Sequence, residues 1–140
     1  MTTPSGIRTF RDLLVWRRAF ALCVEVYRHT EAFPNHERFG LSAELRKTAR
    51  SVVYNVAEGH RRKSTVEYVR FLDIARGSAG ELETQFLLAQ ALNYLDPKAS
   101  IDLLDALSEI DRMLITLMRR LRDRVTRISR ASSGSLTPNP

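Results

Sequence analysis

The sequence predicts an all-α protein, an up-down-up-down (antiparallel) four-helix bundle. Three observations predict it. Four stretches repeat apolar residues at every third or fourth position, the spacing of one helix face. No stretch alternates apolar with polar residues as a half-buried strand does, and no internal repeat is evident. The stretches are joined by short segments rich in helix breakers, which makes neighbouring helices antiparallel. A chain of 140 residues suffices for one domain with its own core. A composition of 44% hydrophobic and 27% charged residues, with 6 Gly and 5 Pro, excludes disordered and collagen-like classes.

The first helix is predicted over about residues 10–32, behind a flexible segment 1–9. Thr9 followed by Asp12 reads as a capping box, and Leu13, Trp16, Phe20, Val24 and Tyr27 form the apolar face. Pro34 ends it, because the residue before a proline is driven out of helical conformation. The second helix spans about 41–62, with Leu41, Leu45, Ala49, Val52 and Val56 on one face and Gly59 at its fading end. Ser64-Thr65-Val66-Glu67 is a full capping box for a third helix over about 65–94, lined by Phe71, Leu72, Ala75, Ala79, Leu82, Phe86, Ala89 and Leu92. Gly77 and Gly80 inside it are expected to mark tight packing against a neighbour, since each costs about 1 kcal/mol against alanine in an exposed helix. Asp96-Pro97 supplies an N-cap and a first-turn proline for a fourth helix over about 97–129. Its seam runs Leu103, Leu107, Ile110, Leu114, Leu117, Leu121 and Ile128, long enough to project past its partners. Residues 131–140, mostly Ser, Gly, Pro and Asn, are expected to be a disordered tail.

Charge is unevenly placed. Twenty-two Lys and Arg, nineteen of them Arg, against 16 Asp and Glu give +6. Residues 1–116 carry 16 basic and 15 acidic groups, whereas 117–140 carry six arginines against Asp123 alone. Such asymmetry favours polyanionic partners. Three basic clusters are candidate phosphate contacts: Arg46, Lys47 and Arg50; Arg61, Arg62 and Lys63; and Arg119, Arg120, Arg124 and Arg127 in the arginine-rich run that ends at Arg130. With no zinc finger, recognition helix or RNA-binding sheet signature, binding through them is expected to be directed at phosphates and steeply dependent on salt. Asn55 and Glu58 flank the apolar stripe of helix two. If inward-facing they need partners such as Ser78, and they read as a structural polar network.

The sequence offers little for catalysis. His29, His36 and His60 show no metal-ligand spacing, so no metal is expected. No Glu-x-x-His pair for a di-iron bundle occurs, and the acids of helix four read as a solvated face. Gly77-Ser78-Ala79-Gly80 lies mid-helix and lacks the strand a nucleophile elbow requires. No phosphate- or dinucleotide-binding glycine loop exists, and no cofactor is expected. The single cysteine, Cys23, excludes an internal disulfide and reads as a buried, inert thiol. No apolar run is long enough for a membrane span, and Met1–Gly6 hold no apolar signal core, so the expected compartment is the cytoplasm.

Several segments together resemble one bacterial family. They are Phe10-Arg11-Asp12-Leu13-Leu14-Val15-Trp16; Phe33-Pro34 with Glu37 and Gly40-Leu41; Ser51-Val52 leading to Asn55-Val56-Ala57-Glu58-Gly59, then Arg62 and Ser64; Phe71-Leu72-Asp73-Ile74-Ala75-Arg76-Gly77-Ser78; and Glu81-Leu82-Glu83-Thr84. In order and spacing, from about Phe10 to Leu121, they are similar to the small four-helix-bundle proteins encoded in intervening sequences of large-subunit ribosomal RNA genes. The accessory protein of diversity-generating retroelements is a related branch. Tyr54 departs from the pattern, which has a small residue or proline there. The resemblance implies a cytoplasmic bundle that assembles as a homo-oligomer of five chains and has no catalytic activity. In the retroelement branch it implies binding to nucleic acid and to a reverse transcriptase. The arginine-rich run after Leu121 lies outside the resemblance. The leading expectation is therefore a non-enzymatic, oligomeric accessory protein that binds RNA or DNA backbone, with structured or single-stranded RNA as the expected target. The alternative is a protein-interaction scaffold that docks a partner enzyme, such as a reverse transcriptase, without touching nucleic acid.

Overall fold

A computed structural model of the chain describes residues 6–136, with side chains as far as Ser133. Its four α-helices, α1 Leu14–Thr30, α2 Leu41–Arg61, α3 Thr65–Ala91 and α4 Pro97–Leu136, pack as an antiparallel up-down-up-down bundle. No strand occurs among the described residues.

The capping box at Thr9 forms, with a different outcome from the one expected. Thr9 Oγ1 accepts from the Arg11 N–H at 3.2 Å, and Asp12 Oδ2 accepts from the Arg8 and Thr9 N–H groups at 2.8 and 3.1 Å. The capped element is one 3-10 turn, Phe10–Asp12. Leu13 then adopts extended backbone, so α1 begins at Leu14 rather than at residue 10. Its buried face is Val15, Ala19, Leu22 and Val26, not the aromatic row expected from the sequence. The thinner side chains let α1 sit close to its neighbours, while Trp16, Phe20 and Tyr27 are displaced to its flank.

The α1–α2 connection is held by one carboxylate. Glu37 Oε1 accepts from the Leu41 N–H at 3.2 Å, and Glu37 Oε2 accepts from the Tyr94 hydroxyl at 2.9 Å. The first bond satisfies an orphan donor at the start of α2, and the second ties that connection to the one between α3 and α4. Gly40 makes room, because a Cβ there would lie 2.7 Å from Glu37 Oε1. The same two bonds hold the Glu37 carboxyl below the ordinary glutamate range, the backbone N–H being the larger cause.

α2 and α3 cross closely. A Cβ on Gly59 would lie 2.9 Å from Phe71 Cβ and 3.0 Å from Tyr68 Cδ1. The expectation for Gly77 and Gly80 is overturned, since nothing lies within 4 Å of a Cβ at either. Of the capping box at Ser64 only the hydroxyl half is seen: Ser64 Oγ accepts from the Glu67 N–H, while the Glu67 carboxylate pairs with Arg70 at 3.1 Å. α3 closes on Asn93 in the left-handed region (φ 63°), with Tyr94 N–H bonded to Ala89 O and Asn93 N–H to Gln90 O. This is a Schellman ending with asparagine in the usual glycine place. Asp96 Oδ1 then caps α4 through the Ala99 N–H at 2.7 Å, and Pro97 opens it.

The core is one cluster centred on Val56, Leu72, Leu82, Phe86, Ile110 and Leu114. On α4 the buried seam is Leu103, Leu107, Ile110, Leu114, Met118 and Leu121, with Leu117 only partly covered. Burial ends at Leu121, yet the helix runs on to Leu136. The expected tail over 131–140 is thus helical as far as residue 136. Serine and one glycine weaken a helix without stopping it, and the first proline after Pro97 is Pro138. Residues 1–5 of the expected flexible start and 137–140 of the expected tail lie outside the described residues.

Candidate nucleic-acid interface

The structure separates the three basic clusters into two kinds. Arg46 and Arg50 do share a face of α2, and that face meets α1. The Arg46 guanidinium lies over the Tyr27 ring at 4.7 Å, donates to Thr30 Oγ1 at 2.8 Å and pairs with Glu31 at 3.3 Å. Arg50 donates to the Tyr27 hydroxyl at 2.6 Å. Both side chains tie α2 to α1, Arg46 through an ion pair and a hydroxyl and Arg50 through a single hydrogen bond to a neutral hydroxyl. Lys47 points into a polar groove between α2 and α3 shared with Glu44, Glu81 and Gln85, where two carboxylates oppose an anion.

The other two clusters converge. Antiparallel registry is fixed by Arg76 Nε on Asp111 Oδ1 at 2.9 Å. Eleven residues back along α3 reach its first residue, Thr65, and eleven forward along α4 reach Arg122. The end of α2, the start of α3 and the last buried turn of α4 therefore lie at one end of the bundle. The start of α1 is there too, where Asp12 is close enough to act on His60 electrostatically. Arg61 ends α2, and Arg62 and Lys63 lie in the turn to α3. Arg62 pairs with Glu58 at 2.8 Å and covers one side of the Phe71 ring, with Arg70 at a similar distance from it. Arg61 and Lys63 are exposed, without an ion pair among the described residues, and so are Arg119, Arg120, Arg122, Arg124, Arg127 and Arg130. The fifteen residues after Leu121 add about 22 Å of helix beyond the bundle at 1.5 Å per residue.

The polar network is smaller than expected. Asn55 Nδ2 donates to Ser51 O and Oγ at 2.8 and 3.1 Å, and Ser51 Oγ meets Ser78 Oγ at 2.7 Å. This chain joins α2 to α3. Glu58 stands apart from it on Arg62.

One feature escaped the sequence reading. Phe20 and Tyr27 of α1 line an open, mostly apolar groove of about 350 Å³ between α1 and α2, completed by Cys23, Val24, Arg50, Val53 and Tyr54. Phe20 is 50% and Tyr54 62% exposed. Cys23 is half-buried there rather than enclosed, and desolvation pushes its thiol above the usual range. Among the described residues no group of three His, Cys, Asp or Glu side chains is placed to hold a metal ion, and no helix is long and apolar enough to cross a membrane.

Fold and site together define a four-helix bundle with one strongly basic end that is drawn out into a helical arm. The family model for the 23S rRNA-intervening sequence protein matches residues 11–116, and the chain belongs to that family. The match stops short of the arm. A 1.70 Å crystal structure of a protein with unknown function from the S23 ribosomal protein family of Bacteroides thetaiotaomicron VPI-5482 shares the fold. It superposes with a TM-score of 0.71 at 20% identity, over 76% of this chain and 96% of that one. No curated protein matches the chain.

Proposed function

We propose that this chain is a non-enzymatic accessory protein that assembles as a homo-oligomer and binds the phosphate backbone of nucleic acid through its basic end. One observation supports the reading: Arg61, Lys63 and Arg119–Arg130 stand at the same end of the bundle, exposed and without an ion pair among the described residues, whereas Arg46 is paired within the chain. Guanidinium groups take phosphate in bidentate fashion, and release of condensed counterions supplies the affinity. Self-association, five chains by the resemblance, would multiply the basic ends presented to one polyanion. No metal or cofactor enters the proposal.

The test is titration of a labelled nucleic acid at low and near-physiological salt with Arg61→Glu/Lys63→Glu and Arg119→Glu/Arg120→Glu variants. Both pairs weaken binding and flatten its salt slope. Unchanged affinity and slope would reduce the basic end to a solvated surface.

The apolar groove supports a second reading, a scaffold that docks a partner protein. By the resemblance that partner is an enzyme such as a reverse transcriptase. Here Phe20→Glu abolishes capture of the partner and leaves nucleic-acid titrations flat at every salt concentration.

A further inference from the structure

The arm has an internal order that its composition hides. Arg124-Val125-Thr126, Arg127-Ile128-Ser129 and Arg130-Ala131-Ser132 repeat one triplet of arginine, apolar residue and hydroxyl. At about 100° per residue the helix sorts the first two triplets into three faces, while Ala131 falls among the arginines and Ser132 on the apolar stripe. Arg119, Arg120, Arg124, Arg127 and Arg130 fall within one sector of about 140°, with Asp123 as the one acid inside it. Leu121, Val125 and Ile128 form a narrow apolar stripe beside it. Arg122, Thr126 and Ser129 lie on the stripe's other side. Val125 is partly covered and Ile128 is 61% exposed, so past Val125 the stripe has no cover from the described residues.

We propose that this arm lies in the major groove of B-form duplex DNA, the stripe toward the groove floor and the two polar faces toward its walls. The proposal rests on the nucleic-acid reading above and narrows it to one substrate class. An α-helix about 10–12 Å across fits a groove about 12 Å wide. The major groove of A-form RNA is too deep and narrow for it. Arginines on one flank, and Arg122 with two hydroxyls on the other, meet the two phosphate walls. Val125 and Ile128 have methyl groups to set against thymine methyls and no polar group to read a base edge, so sequence preference is weak. Arg61 and Lys63, at the foot of the arm, reach phosphates where the groove opens.

The basic end also lacks what single strands require. Nonspecific single-strand binders stack bases on exposed aromatic rings. Here Phe71 is covered by the guanidiniums of Arg62 and Arg70, Trp16 packs against Phe10 and Phe20, and the Tyr68 hydroxyl is buried, while the exposed rings of Phe20 and Tyr54 lie about two turns back from that end in the α1–α2 groove. Residues 117–140 contain no Phe, Tyr or Trp.

The experiment is fluorescence anisotropy of the full chain on three labelled probes of one sequence: duplex DNA, single-stranded DNA and duplex RNA. Duplex DNA binds tightest, by about tenfold or more. If the five arginines of the basic face each neutralise one phosphate, affinity falls about 500-fold between 50 and 200 mM salt, from a slope near −0.9 per contact. The decisive variant is Ile128→Pro. It keeps every arginine and interrupts the arm beyond the last buried residue, so the bundle is untouched. It brings duplex affinity down to that of the single strand. Equal or tighter binding of single-stranded DNA or duplex RNA, or a duplex preference that survives Ile128→Pro, overturns the groove proposal and leaves the phosphate reading standing. No binding to any probe at low salt removes both.

Discussion

Three glycine-to-alanine substitutions in the same bundle should act with opposite signs. In an exposed helix interior, alanine gains about 1 kcal/mol over glycine by restricting the unfolded chain. Gly77→Ala and Gly80→Ala should collect that gain, because the new methyl meets nothing within 4 Å. Gly59→Ala places its methyl 2.9 Å from Phe71 Cβ, 3.0 Å from Tyr68 Cδ1 and 3.2 Å from Tyr68 O. Two of these atoms are fixed to the α3 backbone and cannot swing aside. Relief requires α3 to move bodily, and such overpacking costs about 1–3 kcal/mol, enough to cancel the propensity gain and exceed it. A net loss of about 1–2 kcal/mol corresponds to a fall in Tm of roughly 3–8 °C for a chain of this size. Urea denaturation followed by circular dichroism, run at two protein concentrations so that any assembly shows itself, measures all three variants. A Gly59→Ala protein as stable as the parent would refute the close α2–α3 crossing.

Tyr68→Phe should be neutral or stabilising by up to about 1 kcal/mol in the same assay, since the Tyr68 hydroxyl is buried without a hydrogen-bond partner. That burial pushes the phenol up to about 12, so spectroscopic titration should find Tyr68 ionising well after the usual range, with Tyr94 also raised by its hydrogen bond to Glu37. Glu37 and Asp12 both have carboxyls held low by backbone N–H groups. Their contribution is present above the ordinary carboxylate values of 4.5 and 3.8 and is lost as pH falls through the lower folded values. Glu37→Gln should therefore flatten the acid limb of a stability-versus-pH curve, and an unchanged limb would count against the cap on α2. Arg46→Ala should lower stability while leaving nucleic-acid affinity and salt slope unchanged. A loss of affinity at equal stability would return Arg46 to the phosphate surface.

Much of the bundle was legible because its helices are bounded by residues with a local mechanism. Pro34, Ser64 and Asp96-Pro97 act on their own backbone, so their effect does not depend on the rest of the fold. Where two answers fit the same period, the sequence could not choose. In α1 the rows Trp16–Phe20–Tyr27 and Val15–Ala19–Leu22–Val26 both have helical spacing, and size drew attention to the aromatic one. Close helix packing selects the thinner row, which is a property of the neighbours rather than of α1. The same limit applies to Arg46 and Arg50. Their shared face was readable from spacing, but Tyr27 and Thr30 lie on another helix and nothing local points to them. The extension of α4 was obscured by composition, since Ser and Gly suggested a disordered tail while the helix met no breaker among its described residues.

The arm must be the least stable part of the molecule, and this follows from where burial stops. Isolated helices shorter than about 12–15 residues are marginal in water, because the nucleus is costly and each added turn returns little without packing. The bundle supplies a ready nucleus at Leu114–Leu121, so the arm starts helical but gains no burial past Val125. Arg122, Arg124, Arg127 and Arg130, against Asp123 alone, also repel one another along it. Amide exchange should therefore be slow through Leu121 and approach unprotected rates beyond Ile128, and Ile128→Pro should leave the thermal midpoint unchanged. Adding duplex DNA should slow exchange in the arm and hardly alter the core, because only the arm has protection left to gain. If the free protein instead shows arm amides as protected as those of Leu114, the stripe of Leu121, Val125 and Ile128 is already covered, and a second copy of the chain becomes the occupant to look for.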